Sequence, residues 1–339
     1  MTIKDLARET GYSVGTISRV LNGQPNVSDR ARQTILAYVE KSGFQLNANA
    51  KHLRQTHGDG ILAVVTGTQN ELFAHMIEHI QRLLAETQYP LTVDYVDETD
   101  DAVQHALHMS REKKPLGIFF LGGDNRFFAQ SFARICVPSV LLTADASELG
   151  FPNLSSVTTD DVSAAQCAVE HLIACGHRKI GVISGDRECS GPSRLRYEGC
   201  LRAFAKHGIP FPKEQCATAL YSFAGGYDAA LQLVRSQELT AIFAMSDVMA
   251  IGAMRALRDN GLRVPEDISV IGFDGLELAK YYIPKLTTIR QDTELLSRRG
   301  IKLLLNAIEE QTPVRHETVP FALAVLDSVS RVSEAEPHS

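Results

Sequence analysis

No stretch of this sequence is long and apolar enough to cross a bilayer, which takes ~20 consecutive apolar residues. The opening MTIKDLARET is amphipathic and lacks the apolar segment of a secretory signal. No membrane span or export is therefore expected, and the protein is expected in the cytoplasm. The six cysteines, Cys136, Cys167, Cys175, Cys189, Cys200 and Cys216, include no C-x-x-C pair. Scattered in this way they read as reduced thiols, not as a disulfide framework or a metal site. Neither a G-x-G-x-x-G nor a Walker A motif occurs, so a dinucleotide or nucleoside-triphosphate fold is not indicated. No carboxylate pair, histidine cluster or nucleophile–base set stands out. The sequence thus asks for no catalysis, no cofactor and no metal.

What is present is a chain of 339 residues, 44% of them hydrophobic, enough for two or three packed domains. Charge is divided unevenly. Residues 1–57 hold eight Lys and Arg against four Asp and Glu, a balance of +4, and the remainder carries −10. A small basic head on a large acidic body predicts that only the head meets a polyanion.

The head opens with a helix over residues 3–9, capped by Thr2, with Asp5 at its positive end and Ile3, Leu6 and Ala7 on one face. Gly11 ends it. The next residues, G-Y-S-V-G, fit the nucleophile elbow of hydrolases. That elbow needs a buried strand before its serine, and the dozen residues here read as helix. Ser13 is therefore read as an N-cap. It starts a second helix with Ile17, Val20 and Leu21 on one face, stopped at Asn22-Gly23. Ser28 caps a third, with Ala31, Ile35, Tyr38 and Val39 inward and Gly43 as its stop. Three such helices make the unit that presents one helix to the DNA major groove.

Beyond the polar linker QTHGDG (55–60), β-rich runs alternate with helices. Strands are predicted at 61–66, 91–96, 116–121, 139–143, 179–184, 240–245 and 268–273. Helices between them include 71–87, 161–175, 193–207, 225–236 and 247–260. Runs apolar on both faces imply parallel strands covered on both sides, with ligands at their carboxyl ends.

D-L-A-R-E-T-G-Y-S-V-G-T-I-S-R-V-L-N resembles the head of the LacI/GalR family of bacterial transcription repressors. The resemblance implies that residues 14–21 form the recognition helix. Val14 and Gly15 then stand at the variable base-reading positions, where they offer an apolar contact and almost nothing, so direct readout is expected to be thin. Arg19 is implied to meet a guanine or a neighbouring phosphate. Ser13, Thr16, Ser18 and Asn22 fall on the same DNA-facing motif, the last three as phosphate contacts. In F-Q-L-N-A-N-A-K-H-L-R-Q, Asn47, Ala50 and Leu53 match a hinge helix that orders on DNA, with Leu53 as a minor-groove wedge. Leu46 departs from the family's usual proline.

The resemblance covers residues 2–332 and implies a two-lobed body of the periplasmic-binding-protein type with parallel sheets. The expected division is a helix-turn-helix domain at 1–45, hinge and linker at 46–59, and an effector-binding and dimerisation body at 60–333. Lobe one is placed at 60–157 and 289–318, lobe two at 158–288 and 319–333. Residues 334–339 are expected to be a disordered tail. Within the cleft, Arg196 matches an arginine that clamps effector hydroxyls, and Asp274 its carboxylate partner. Ser246 stands where relatives often have Asn, Tyr221 where an aromatic stacks on the sugar, and Gln291 on a crossover facing the cleft. Thr68 and Phe73 are placed on the lobe-one wall. Thr143 replaces an aspartate of a galactoside-binding member, which argues against lactose-type galactosides. Asp247 is read as a helix cap, and His177 and Arg178 as structural.

The expected function is a cytoplasmic repressor of a carbohydrate-utilisation operon. Its expected partners are double-stranded operator DNA with a pseudo-palindromic site, a small sugar effector and a second copy of itself, with no membrane. An unphosphorylated sugar inducer fits the matched positions, which hold one arginine and no lysine. The alternatives are a sugar receptor or enzyme without DNA function, and a corepressor-dependent regulator of the same fold. The leucine heptad tail that makes some family members tetrameric is missing, so a dimer is expected.

Overall fold

The computed structural model describes residues 7, 9–13, 16–17, 20, 27–42, 60–67, 70–188 and 190–332. The chain divides into two compact units, Met1–His57 and Gly58–Ser339.

In the first unit the capping pattern forms as its chemistry dictates. Gly11 takes a left-handed φ of 73°, and its N–H returns to the Ala7 carbonyl at 3.0 Å. Ser13 Oγ accepts from the Thr16 N–H at 3.2 Å, the bond of an N-cap. Helix α1 (Asp29–Ser42) is capped by Ser28, whose Oγ accepts from Ala31 N–H. Ile17, Val20 and Ile35 are buried together, with Ala7, Tyr12, Val27, Tyr38 and Val39 packed around them. Of the DNA-facing residues expected from sequence, Ser13 and Thr16 are described. Val14, Gly15, Ser18, Arg19, Asn22, Asn47, Ala50 and Leu53 lie outside the described residues.

The second unit is two doubly wound lobes. Lobe one is a six-stranded sheet of order β11-β5-β4-β3-β1-β2. Its strands are β1 (Ile61–Thr66), β2 (Leu91–Val96), β3 (Gly117–Leu121), β4 (Ser139–Leu142), β5 (Leu154–Thr159) and β11 (His316–Val319). All pair in parallel. Helices α2 (Glu71–Leu84), α3 (Ala102–Lys113), α4 (Asn125–Ser131) and α10 (Thr293–Glu309) cover it. The run ILAVVT shows why both faces need apolar side chains. Ile61, Ala63 and Val65 join one core cluster, and Leu62 and Val64 join the cluster on the other face.

Lobe two repeats the plan with order β12-β10-β9-β8-β6-β7. Its strands are β6 (Ile180–Ser184), β7 (Cys216–Thr218), β8 (Ala241–Ala244), β9 (Ser269–Asp274), β10 (Thr287–Gln291) and β12 (Phe321–Ala324), the last antiparallel to β10. Its helices are α5 (Asp161–Ala174), α6 (Gly191–Lys206), α7 (Phe223–Ser236), α8 (Asp247–Asp259) and the short α9 (Leu278–Tyr281). His177 bridges Thr240 Oγ1 and the Ser330 carbonyl, both at 3.0 Å, and so ties the last segment to the sheet.

The chain crosses between lobes after β5, after β10 and between β11 and β12. All three crossings lie later than the sequence predicts, the third by one residue, because β11 runs to Val319, which pairs with Thr159 of β5. β5 runs to Thr159, and residues 289–291 belong to lobe two, because β10 pairs with β9 and β12 through Gln291. The turn comes only where Asp292 caps α10 by accepting from Leu295 N–H. Among the described residues no helix is long and apolar enough to cross a membrane.

Ile35 is fully buried among the described residues of the first unit, in contact with Ile17 and Val20. Ile35→Ala is expected to cost about 2–5 kcal/mol, enough to melt this unit while the body's unfolding transition stays in place. Calorimetry of the full chain, resolving the two transitions, checks this.

Candidate functional site

A cavity of about 690 Å³ lies where the carboxyl ends of the two sheets face each other. This is the position at which an open α/β sheet presents loops and helix N-termini to a ligand. Lobe one supplies Thr66 at the end of β1 and Asn70 after it, Asp97 and Glu98 after β2, Asp124 and Arg126 after β3, and Thr143 after β4. Lobe two supplies Asp186, Ser190, Arg196, Tyr221, Ser222 and Asp274. Asn70, Asp124, Ser190 and Ser222 are the N-caps of α2, α4, α6 and α7, so four helices start at the cavity wall.

Arg196 lies on the inner face of α6 and is only 4% exposed. Its Nε donates to Asp161 Oδ1 at 2.7 Å and its Nη1 to the Met245 carbonyl at 2.6 Å. The guanidinium lies over the Phe273 ring, 3.7 Å from the centroid. Asp274 Oδ1 is 3.9 Å from Nη1, an ion pair without a hydrogen bond. Burial disfavours this cation, but Asp161, with Tyr221 and Asp274 adding to it, more than offsets that, so the pKa of Arg196 rises further and the group stays charged. Asp161, the first residue of α5, is the arginine's main partner, and the sequence reading missed it. The Asp160-Asp161 doublet was the available signal. Asp160 caps α5 by accepting from Ser163 N–H, which frees its neighbour to point inward.

Asp274 ends β9 with φ at 117°, a strained value for a residue with a side chain. Gln291 Nε2 donates to its Oδ1 at 2.8 Å, and Thr159 Oγ1 donates to Gln291 Oε1 at 2.8 Å. Burial pushes the Asp274 carboxyl up to about 6, against the pull of Arg196 and the Gln291 hydrogen bond. Gln291 therefore stands behind the wall, as a brace between Asp274 and the end of β5. Ser246 is also behind it: its Oγ accepts from Met249 N–H and caps α8. The cap expected of Asp247 thus belongs to Ser246. Asp247 is fully buried one residue later, where it accepts from Leu276 N–H and Thr288 Oγ1. A cap must precede the first helical residue, and Asp247 is already that residue.

Tyr221 presents its ring against Gly185, and its hydroxyl shares a 2.7 Å bond with Ser193 Oγ. A Cβ at Gly185 would overlap the Tyr221 ring and lie 2.5 Å from Ser193 Oγ, so only glycine lets the aromatic plate sit here. Tyr221 N–H donates across the cleft to Glu98 Oε1 at 3.4 Å. Burial raises the Glu98 carboxyl, and this hydrogen bond works against the rise. Arg126 forms a forked contact with Asp124, with Nε and Nη2 at 2.9 and 2.7 Å from Oδ2.

Of the residues expected at the cleft, Phe73, Thr143, Arg196, Tyr221 and Asp274 line the cavity. Ser246 and Gln291 do not, and Thr68 lies outside the described residues. The carboxylates Asp97, Glu98, Asp124 and Asp186 were not anticipated. Each lies within three residues of the end of a predicted strand (91–96, 116–121, 179–184), so the rule placing ligands at carboxyl ends of strands is the signal for them.

Removing the cation should strand Asp161 in the interior. Arg196→Met is expected to destabilise the body by about 3–5 kcal/mol, read as a lower thermal midpoint. The carboxyl of Asp274 gives a pH signature in a protein that still folds. A ligand accepted by ionised Asp274 should bind at constant affinity above about pH 7 and lose affinity as pH falls through about 6. Titration calorimetry between pH 5 and 8 checks this, and Asp274→Asn should bind weakly with that step gone.

Residues 2–47 match the family model for bacterial regulatory proteins of the lacI family, and residues 169–329 match a periplasmic binding protein-like domain. The chain is 33% identical to the HTH-type transcriptional regulator MalR of Clostridium butyricum, over 97% of this chain and 99% of that protein. The lac repressor dimer bound to operator and the anti-inducer ONPF superposes with a TM-score of 0.81 at 26% identity, over 97% of this chain and 99% of that one. The CelR–cellobiose complex, also a transcriptional regulator, gives a TM-score of 0.72 at 25% identity, over the same 97% and 99%. With a capped three-helix head pattern and a two-lobed cleft in one polypeptide, this chain belongs to the LacI family of bacterial transcriptional regulators.

Proposed function

We propose that this regulator represses a carbohydrate-utilisation operon as a dimer on a pseudo-palindromic operator, and that a small sugar bound in the cleft releases it. The observation that carries the reading is the buried Arg196–Asp274 pair facing a 690 Å³ cavity beside the Tyr221 plate, in a chain with a LacI-type head. A sugar offers hydroxyls that both donate and accept, together with an apolar ring face. A fixed cation, a fixed carboxylate and an aromatic plate answer those features. The sugar complex of CelR and the operator complex of the lac repressor support the same division of labour.

On DNA, Arg19 reads a guanine or holds a phosphate, and Thr16, Ser18 and Asn22 hold phosphates that set register. Val14 and Gly15 add little base readout, and Leu53 opens a minor-groove step. Two-fold symmetry of the protein places two heads on two half-sites. Release requires the sugar to bind the DNA-free state more tightly than the DNA-bound state, because only differential affinity moves such an equilibrium. Sugar-driven closure of the lobes about their three crossings supplies that difference.

Band shifts on the DNA upstream of its own gene test this. Affinity is expected to fall by orders of magnitude between low and moderate salt, as released counterions require. Arg19→Ala should weaken operator binding by about 1–3 kcal/mol. One of a panel of sugars should weaken retention of the wild-type complex. A sugar that tightens it would reverse the sign of the switch, and salt-insensitive retention would sink the reading.

A further inference from the structure

The lining of the cavity has a charge that constrains its ligand. Asp97, Glu98 and Asp124 come from lobe one and Asp186 and Asp274 from lobe two, against the cations Arg126 and Arg196. Arg196 is already balanced from behind the wall by Asp161, 2.7 Å away. Among the described residues five carboxylates thus line the cavity with Arg126 as the further cation, itself forked onto Asp124. The four helix N-termini at the wall each carry about half a positive charge, which leaves the lining negative. Thr66, at the end of β1, also lines the cavity; its Oγ1 is itself buried and has no hydrogen-bond partner among the described residues.

We infer that the cavity sorts saccharides by charge: it takes neutral sugars and favours those bearing a protonated amine, and it turns away sugar acids and sugar phosphates. This deepens the reading of the cleft as a sugar site and rests on it. The physical reason is that the interaction of a ligand charge with a fixed surrounding charge is linear in the ligand's charge and strengthens as water is excluded. The field that repels a phosphate dianion therefore attracts an ammonium at the same place. Asp97 and Glu98 carry the rule from lobe one. Glu98 also accepts from Tyr221 N–H across the cleft, so its carboxylate stays in the wall when the lobes are together. Asp186 and Asp274 carry it from lobe two.

Titration calorimetry on the full-length protein with three matched series tests the rule. For glucose, galactose and mannose skeletons, the probes are the 2-amino sugar, the parent sugar, the uronic acid and the 6-phosphate. Within any skeleton that binds, the amino sugar is expected to match or exceed the parent, and the 6-phosphate to bind at least tenfold more weakly than the parent. The double variant Asp97→Asn, Glu98→Gln should bring the uronate and phosphate back towards the parent, a change that loss of packing alone does not produce. A uronate or phosphate that outbinds its parent overturns the inference. Band shifts run on the same sugars separate it from the regulatory proposal. Sugars that bind in the expected order without altering DNA retention would leave the charge rule standing and sink the switch. A sugar phosphate that binds tightest and alters DNA retention would do the reverse. If no member of any series binds, both fall.

Discussion

The structure depends on keeping one buried cation satisfied. Arg196 sits in the interior of lobe two, where an unpaired charge would cost far more than the fold can supply. Its partners come from three separate elements: Asp161 from the start of α5, the Met245 carbonyl after β8 and Asp274 from the end of β9. Asp274 is in turn held by Gln291, and Gln291 by Thr159. The groups that face a ligand are therefore braced by the two strands that carry the chain across between lobes. The floor of the cleft is thus held by protein–protein bonds, which lowers the ordering cost of binding.

The two lobes are joined more loosely than either is packed. Lobe two has its own apolar cluster, and lobe one has one on each face of its sheet. Across the division, Leu276 and Val248 of lobe two join the lobe-one cluster. At the rim the contacts are polar: Tyr221 to Glu98 at 3.4 Å and Arg194 to Glu148 at 3.8 Å. Exposed polar contacts of this kind contribute about 1 kcal/mol or less. Stiff halves, three crossings and a weak rim are the ingredients of hinge closure around a ligand.

Most of the strands legible in the body are apolar on both faces; the edge strand β2, only partly buried, is legible as well. β1, β3, β6, β8 and β9 could be found from composition because each is covered by helices on two sides. β5 (LSSVTT) and β10 (TTIRQ) were invisible by the same criterion. They are rich in Ser and Thr, and these residues are buried all the same because they have partners. Ser156 meets His316 at 2.8 Å, Thr159 meets Gln291, and Thr288 meets Asp247. These two polar strands lead to two of the lobe crossings, which is why the predicted lobe boundaries there fell short by two or three residues.

Local chemistry needs only neighbours in the chain, and so the sequence alone determined the caps at Ser13 and Ser28, the left-handed stop at Gly11, the alternation of parallel strands with helices, and the family. Side-chain identity at the cleft was also there to be read, in Arg196, Tyr221 and Asp274. Tertiary structure alone decided which groups those residues meet. It paired Arg196 with an aspartate 35 residues away and Thr159 with a glutamine 132 residues away. It withdrew Ser246 and Gln291 behind the wall and brought carboxylates from two lobes to one surface. Helical and strand periodicities reach a few residues along the chain, whereas the balance of buried charge is settled only when the sheets have closed around it.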